Sequence, residues 1–279
     1  MERRHFGSTG REVAVVGQGT WQINSHGRAT AVAALRAGIK LGMNHIDTAE
    51  MYDEAEEIVA DAVAGCRDEV FLVSKVLPQN ASHAGVIAAC ERSLARLRTD
   101  RLDCYLLHWR GQHPLADTIA AFEQIKIEGK ILSWGVSNFD VPDLEEVLKL
   151  AGNGSLTCNQ VLYNLQERAV EHEVLPWCIE HGVAVVAYSP FGRGTLPGPG
   201  TAAGRVLEEI AATRGATPHQ VAVGFVTHRP SIFVIPKAVR HEHVVENAGA
   251  SGLKLSEAEL ARLDAVFPRG PRPRELPMM

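Results

Sequence analysis

Asp47, Tyr52, Lys75 and His108 are residue types that together could place a proton on a carbonyl oxygen. A lysine ammonium near a tyrosine hydroxyl favours the phenolate and pulls the phenol below its ordinary pKa of about 10, which would make Tyr52 a general acid near neutral pH. A buried lysine with no anion beside it would lose its own charge, so Asp47 is expected to pair with Lys75 and keep it cationic. A neutral His108 could donate to the carbonyl oxygen where charge develops. Each residue also has a plainer use: Asp47 could cap a turn, Lys75 could snorkel to water, and His108 could be a core histidine with satisfied nitrogens.

No side chain donates hydride, so the same chemistry calls for a nicotinamide. The segment "GQGTWQ" lacks the third glycine of a dinucleotide fingerprint and opens no helix directly. Another binding mode is therefore predicted. Ser137, Asn138 and Gln160 offer hydroxyl and amide groups for a carboxamide, Tyr188 offers a ring face for stacking, and Lys237 after Pro236 offers a cation for phosphate.

Elements must bring these residues together. Eight short apolar runs, "VAVVGQG", "NHID", "VFLVSK", "DCYLLH", "SWGVSN", "TCNQV", "VAVVAYS" and "IFVIPK", read as buried parallel strands. Helical periodicity follows each, at 29–41, 54–64, 84–97, 114–128, 141–150, 173–181, 203–214 and 241–250, with a further helix at 218–228 before the eighth strand. This alternation predicts a (β/α)8 TIM barrel, with an open doubly wound sheet as the alternative. From the second strand onward the runs close on Asp47, Lys75, His108, Asn138, Gln160, Tyr188 and Lys237. All seven are polar or amphipathic, as expected at the catalytic end of a barrel.

Outside the repeat, a hairpin is predicted over 3–16, and an extra C-terminal helix over 256–267, opened by the capping pattern S-E-A-E. The last twelve residues, "PRGPRPRELPMM", are expected to be extended and mobile, as a solvated tail in preference to a flap over the pocket.

With 279 residues, 46% of them hydrophobic and 22% charged, the chain has material for a sizeable core. No composition break marks a linker, so residues 1–279 are expected to form one domain. The net charge of −5, with no long basic block, predicts small-molecule partners and neither nucleic acid nor membrane. The start "MERRHFGSTG" is unlike a signal peptide, and no run approaches the ~18 apolar residues of a membrane span, so a cytoplasmic protein is expected; a monomer is the default, with an oligomer left open. The five scattered cysteines read as reduced buried thiols, and "HEH" at 241–243 gives no metal-binding pattern, so no metal is expected.

The motifs "STGREVAVVGQGTW", "NHIDTAEMY", "LVSK", "YLLHW", "WGVSNF", "NQVLYN", "AYSPFGRG" and "VIPKAVRHEHVVEN" resemble, in order and spacing, the aldo-keto reductase family over nearly the whole chain. The resemblance implies NADPH-dependent reduction of aldehydes or ketones, with Asp47, Tyr52, Lys75 and His108 as the catalytic tetrad. It implies that Ser137, Asn138, Gln160 and Tyr188 hold the nicotinamide, that Ser189, Pro190 and Phe191 meet the pyrophosphate, and that the loop "SPFGRG" lies along the cofactor. Lys237, Glu246 and Asn247 match the family's adenosine end. Ala238 and His243 replace its usual serine and arginine, with Arg240 as the substitute cation for a 2′-phosphate. The pocket rim is expected to include Trp21 and Trp109, with Phe191 as a further candidate, although either tryptophan could simply pack a loop. The short tail resembles that of bacterial members reducing small aldehydes such as methylglyoxal. Two rival readings are a lyase using Lys75 as a Schiff-base nucleophile and a nucleotide-binding regulatory subunit with little turnover.

Overall fold

The computed structural model describes residues 1–192, 194 and 196–279. Strands β1 (Arg3–His5) and β2 (Glu12–Ala14) form an antiparallel hairpin. The repeat then runs β3 (Gln18–Gly19), α1 (Arg28–Lys40), β4 (His45–Asp47), α2 (Ala55–Val63), β5 (Phe71–Val76) and α3 (His83–Leu97). It continues through β6 (Cys104–Leu107), α4 (Leu115–Ile127), β7 (Trp134–Ser137), α5 (Val141–Ala151), β8 (Cys158–Leu162) and α6 (Val174–Glu180). The last units are β9 (Ala184–Tyr188), α7 (Ala202–Arg214), α8 (Pro218–Val226), β10 (Ile232–Val234), α9 (His241–Gly249) and α10 (Glu257–Val266).

Strands β3 to β10 lie side by side in chain order, and the pairings between neighbours are parallel. The sheet closes on itself through a parallel bridge between Val16 and Val234, with Gly17 N–H donating to Val234 O at 2.7 Å and Gly19 N–H to Pro236 O at 3.1 Å. The expected barrel is therefore formed, with the open sheet excluded.

The first strand is shorter than the run "VAVVGQG" predicts. Val13 and Ala14 belong to the hairpin, leaving only Gln18 and Gly19 in the barrel strand. Its glycines serve close approach: a Cβ on Gly17 would stand 2.7 Å from His45 O, and one on Gly19 would stand 2.6 Å from Ile235 O. This short strand fits between β4 and β10 because it has almost no side-chain width.

Side chains alternate between two apolar clusters. Phe71, Val73, Leu106, Val186 and Phe233 fill the barrel, while Leu72, Trp134, Val136, Val185 and Val234 face the helices. Phe6 and Val13 of the hairpin join the inner cluster and plug the floor. Beneath them Asp103, 2% exposed, accepts from Leu72 N–H and pairs with Arg11 and Arg67. Thr217 and Ser256 form full capping boxes on α8 and α10. Among the described residues no helix is long and apolar enough to cross a membrane.

The tail forms no helix or strand and most of its residues are exposed, as expected of an extended, solvated segment, but it is tied to the barrel at several points. Arg269 donates to Glu171 O, Arg272 pairs with Glu173, and Leu276 packs against the helix-side core. Apolar contact at Leu276 and the two arginine links hold it along the upper rim.

Candidate active site

The upper ends of β4, β5 and β6 bring Asp47, Lys75 and His108 together, and the loop after β4 adds Tyr52. Asp47 is the last residue of β4 and Lys75 the fifth of β5, and both point inward from these two adjacent strands. Lys75 is fully buried, and its Nζ donates to Asp47 Oδ1 at 2.5 Å and to Thr48 O at 2.8 Å. Burial works against its charge, but Asp47 and then Tyr52 outweigh burial and raise its pKa. The expectation that Asp47 keeps Lys75 cationic fits this geometry.

Tyr52 OH lies 3.4 Å from His108 Nε2, and Lys75 Nζ lies 5.2 Å from the Tyr52 ring centroid. Burial, then the charge on Lys75, pushes His108 down to about 2, so the imidazole is neutral. Its Nδ1 is buried without a partner among the described residues. One expectation is corrected. Burial pushes the Tyr52 phenol above its ordinary value; Lys75 pulls it down as anticipated, but Asp47 pushes the other way, and the net direction is upward.

A second set continues around the rim. Gln160 Nε2 donates to Asp47 Oδ2 at 2.7 Å, tying the amide to the ion pair. Gln160 is the third of five residues in β8, which runs on to Leu162, so the strand does not close on it as expected. Ser137 OH donates to Gln160 O, Asn138 Nδ2 donates to His108 O and to Ser137 Oγ, and Tyr188 OH donates to Asn138 Oδ1 at 2.9 Å. Burial pushes the Tyr188 phenol up to about 12, against an opposing pull from the Met279 backbone. Asn138, Ser189, Asp53 and Gln22 all have positive φ, at 61°, 50°, 32° and 53°, so backbone strain gathers in the loops at this end.

The remaining predicted residues lie farther round. Lys237 stands three positions beyond the end of β10, past Pro236, and is exposed. Arg240 Nη2 contacts His243 Nε2 at 2.6 Å at the start of α9, and Asn247 on that helix is 5% exposed. Glu246 receives the Thr217 hydroxyl at 2.6 Å and lies 3.6 Å from His219, so its carboxylate joins α9 to α8. Phe191 packs edge-on against His219 with centroids 4.9 Å apart, which puts it beside α8. Ser189 and Pro190 precede it at the end of β9. Arg193 of the loop "SPFGRG" lies outside the described residues. The Trp109 ring is 4.9 Å from His108, whereas Trp21 follows β3 and is 52% exposed.

Sequence reasoning missed Thr48 and Glu50. Thr48 lends its carbonyl to Lys75, a contact no side-chain pattern announces. Glu50 sits in the same loop with its side chain only 5% exposed and its carboxylate turned toward the chain after β5.

A buried cation paired with an acid, a phenol within their field and a neutral imidazole can together polarise a carbonyl and protonate its oxygen. Known proteins resemble the chain over nearly its whole length. A model of the aldo/keto reductase family fits residues 15–267. The methylglyoxal reductase YeaE of Escherichia coli is 46% identical over 257 residues, covering 91% of this chain and 90% of that protein. The glyoxal reductase of Bacillus subtilis is 33% identical over 272 residues, covering 96% and 95%. Among solved structures, an aldo-keto reductase from Klebsiella pneumoniae in complex with NADPH has a TM-score of 0.93 and 43% identity, with both chains covered in full. The family model spans every barrel strand from β3 to β10, and the chain belongs to the aldo/keto reductase family.

Proposed function

We propose that this protein reduces small aldehydes and dicarbonyls of the methylglyoxal type to alcohols with NADPH. In this reading residues 1–279 act as one domain, a cytoplasmic monomer whose partners are small molecules, with no nucleic acid or membrane among them. The observation that carries the reading is the fully buried Lys75–Asp47 pair with the Tyr52 hydroxyl between it and His108.

The residues present fit a nicotinamide dinucleotide. Thr48 Oγ1 and His108 Nδ1 are buried polar atoms without partners among the described residues, on the wall where a nicotinamide and a carbonyl would meet. Tyr188 presents a ring, and Gln160, held by Asp47 through its amide nitrogen, has its oxygen left to accept from a carboxamide. Ser189, Pro190 and Phe191 would lie along the pyrophosphate. At the far end Lys237 and Arg240 are exposed cations for a 2′-phosphate, with His243 orienting the guanidinium and Asn247 offering an amide to adenine. When bound, the nicotinamide supplies hydride to the carbonyl carbon. The chain's own part is the proton: His108 orients the carbonyl oxygen, and Tyr52 hands its phenolic proton to that oxygen as charge builds there. Lys75 stabilises the phenolate left behind, and Asp47 keeps Lys75 charged. Trp109, beside His108, gives the pocket an aromatic wall, with Trp21 at its outer rim.

The same buried pair counts against the Schiff-base alternative. A lysine held cationic by Asp47 and bonded to Thr48 O has no free lone pair for attack. Presence of all four proton-handling residues counts against a subunit without turnover.

The deciding experiment is Tyr52→Phe. The variant is expected to keep its dissociation constant for NADPH while carbonyl reduction falls by about 10²–10⁴. A near-normal kcat would sink the proton-donor role.

A further inference from the structure

We propose that Glu50 is a positioning residue that sets Tyr52 against Lys75, by fastening the loop that carries the phenol to the strand that carries the ammonium. The inference rests on the reductase reading above. The regular strand β4 ends at Asp47, yet its ladder to β5 continues: Thr48 N–H donates to Val73 O at 2.9 Å and Glu50 N–H to Lys75 O at 3.2 Å. The Glu50 side chain then reaches past the lysine. Its Oε1 accepts from Leu77 N–H at 2.8 Å and from Asn80 Nδ2 at 2.9 Å, while Oε2 faces Arg92 on α3 at 3.2 Å. One residue thereby grips the main chain at Lys75 itself and again two positions beyond it.

A second tier of contacts stands behind this grip. Arg96 reaches Glu50 O at 3.5 Å and the buried Glu56 carboxylate at 2.9 Å, and Glu56 accepts the Ser74 hydroxyl at 2.7 Å. Ser74 adjoins Lys75 and faces the helices, so the outer face of β5 is tied to Glu56 on α2, the helix that follows the loop, and Arg96 joins that carboxylate to Glu50 O. Two residues after Glu50, Tyr52 closes a turn through its N–H to Ala49 O at 3.0 Å, and Asp53 follows with φ at 32°. A strained residue persists only where its surroundings over-determine it, and the Glu50 contacts supply that restraint. The carboxylate is directed away from Tyr52 and touches no group of the tetrad, so its action is geometric. Geometry matters here because the field of Lys75 falls with distance, and a displacement of about 1 Å at a reacting group can cost about 10² in rate.

The test uses the full chain with Glu50→Ala and Glu50→Gln, the latter keeping an oxygen for Leu77 N–H and Asn80. Four readouts are taken: kcat and KM for methylglyoxal, the dissociation constant for NADPH, the melting temperature, and the ring-carbon NMR signals of labelled tyrosine. The chain has four tyrosines, and Tyr52→Phe assigns the relevant line. In Glu50→Ala we expect kcat to drop by about 10- to 100-fold with NADPH affinity within about twofold, and the Tyr52 signal to move while that of Tyr163 stays. Glu50→Gln should recover most of both. Unchanged kcat and an unmoved Tyr52 signal in Glu50→Ala would overturn the proposal, as would equal losses in both variants or a loss shared by NADPH binding. If Glu50→Ala does not fold, Asn80→Ala removes one bond to the same oxygen; a smaller shift of the Tyr52 signal supports the proposal, and no shift overturns it. The NMR arm needs no turnover, so a wild-type chain that fails to reduce carbonyls would sink the reductase reading while the Tyr52 signal still decides the role of Glu50.

Discussion

Tyr52 shows how burial and charge compete at one atom. The Lys75 ammonium favours the phenolate, but desolvation of a buried phenol is the larger effect, and the adjacent Asp47 opposes the lysine as well. A raised pKa means the phenol is the protonated species throughout the neutral range, which is the form a proton donor needs. Reduction is therefore expected to run at constant kcat from about pH 6 to 9 and to fall only above the ordinary phenol range near 10. Alcohol oxidation, which needs the phenolate, should rise with pH over the same span. A reductive limb that falls with a midpoint near 7 would contradict the upward direction. The sequence carried the identities and spacing of the tetrad, because strand ends in a barrel converge. It did not carry the direction at Tyr52, since residue types name the interacting charges but not how much water each has lost.

Between elements, α8 and α9 are joined at one point. Thr217 caps α8 through Gln220 N–H and also gives its hydroxyl to Glu246 on α9. Thr217→Ala is expected to cost about 1 kcal/mol through the lost cap. Because α9 carries Arg240, His243 and Asn247, the same change should weaken NADPH binding severalfold while leaving kcat at saturating cofactor unchanged. An unaltered dissociation constant would separate the cap from the cofactor site. Glu246, expected from family resemblance to touch the adenosine end, has its carboxylate engaged in this link. Elements with strong periodicity, such as α3 and α5, were legible to within a residue or two. The first barrel strand was not, since "VAVVGQG" divides between hairpin and barrel without any change in its apolar character, and only the packing of Gly17 and Gly19 marks the border. The extended, solvated course of the tail was legible from its prolines and arginines, but its anchor was not, because the single apolar residue Leu276 gives no periodic signal.

In the molecule as a whole, the barrel interior changes character along its axis, from ionised at the rim to aromatic at the floor. His45 marks the boundary. It is fully buried within 5.5–6.3 Å of the rings of Phe6, Phe71 and Phe233, and both its nitrogens lack partners among the described residues. Burial, then the charge on Lys75, lowers its pKa to about 3. The unfolded chain takes up this proton below about 6.5 and the folded one does not until about 3, so stability is complete above 6.5 and drains away as pH falls between those values. His45→Leu is expected to reduce the pH slope of unfolding free energy by about one proton near pH 5, whatever it does to packing. An unchanged slope would show that His45 takes up its proton equally in both states.

Phe6 belongs to that floor, and it enters the chain almost first. Arg4 donates to the carbonyls of Thr227, Arg229 and Ile232, and Val16 bridges to Val234. These contacts join residues more than two hundred positions apart in the chain. The floor and the closing seam are therefore expected to form together, a demand of high contact order that puts the drying of the barrel interior late in folding.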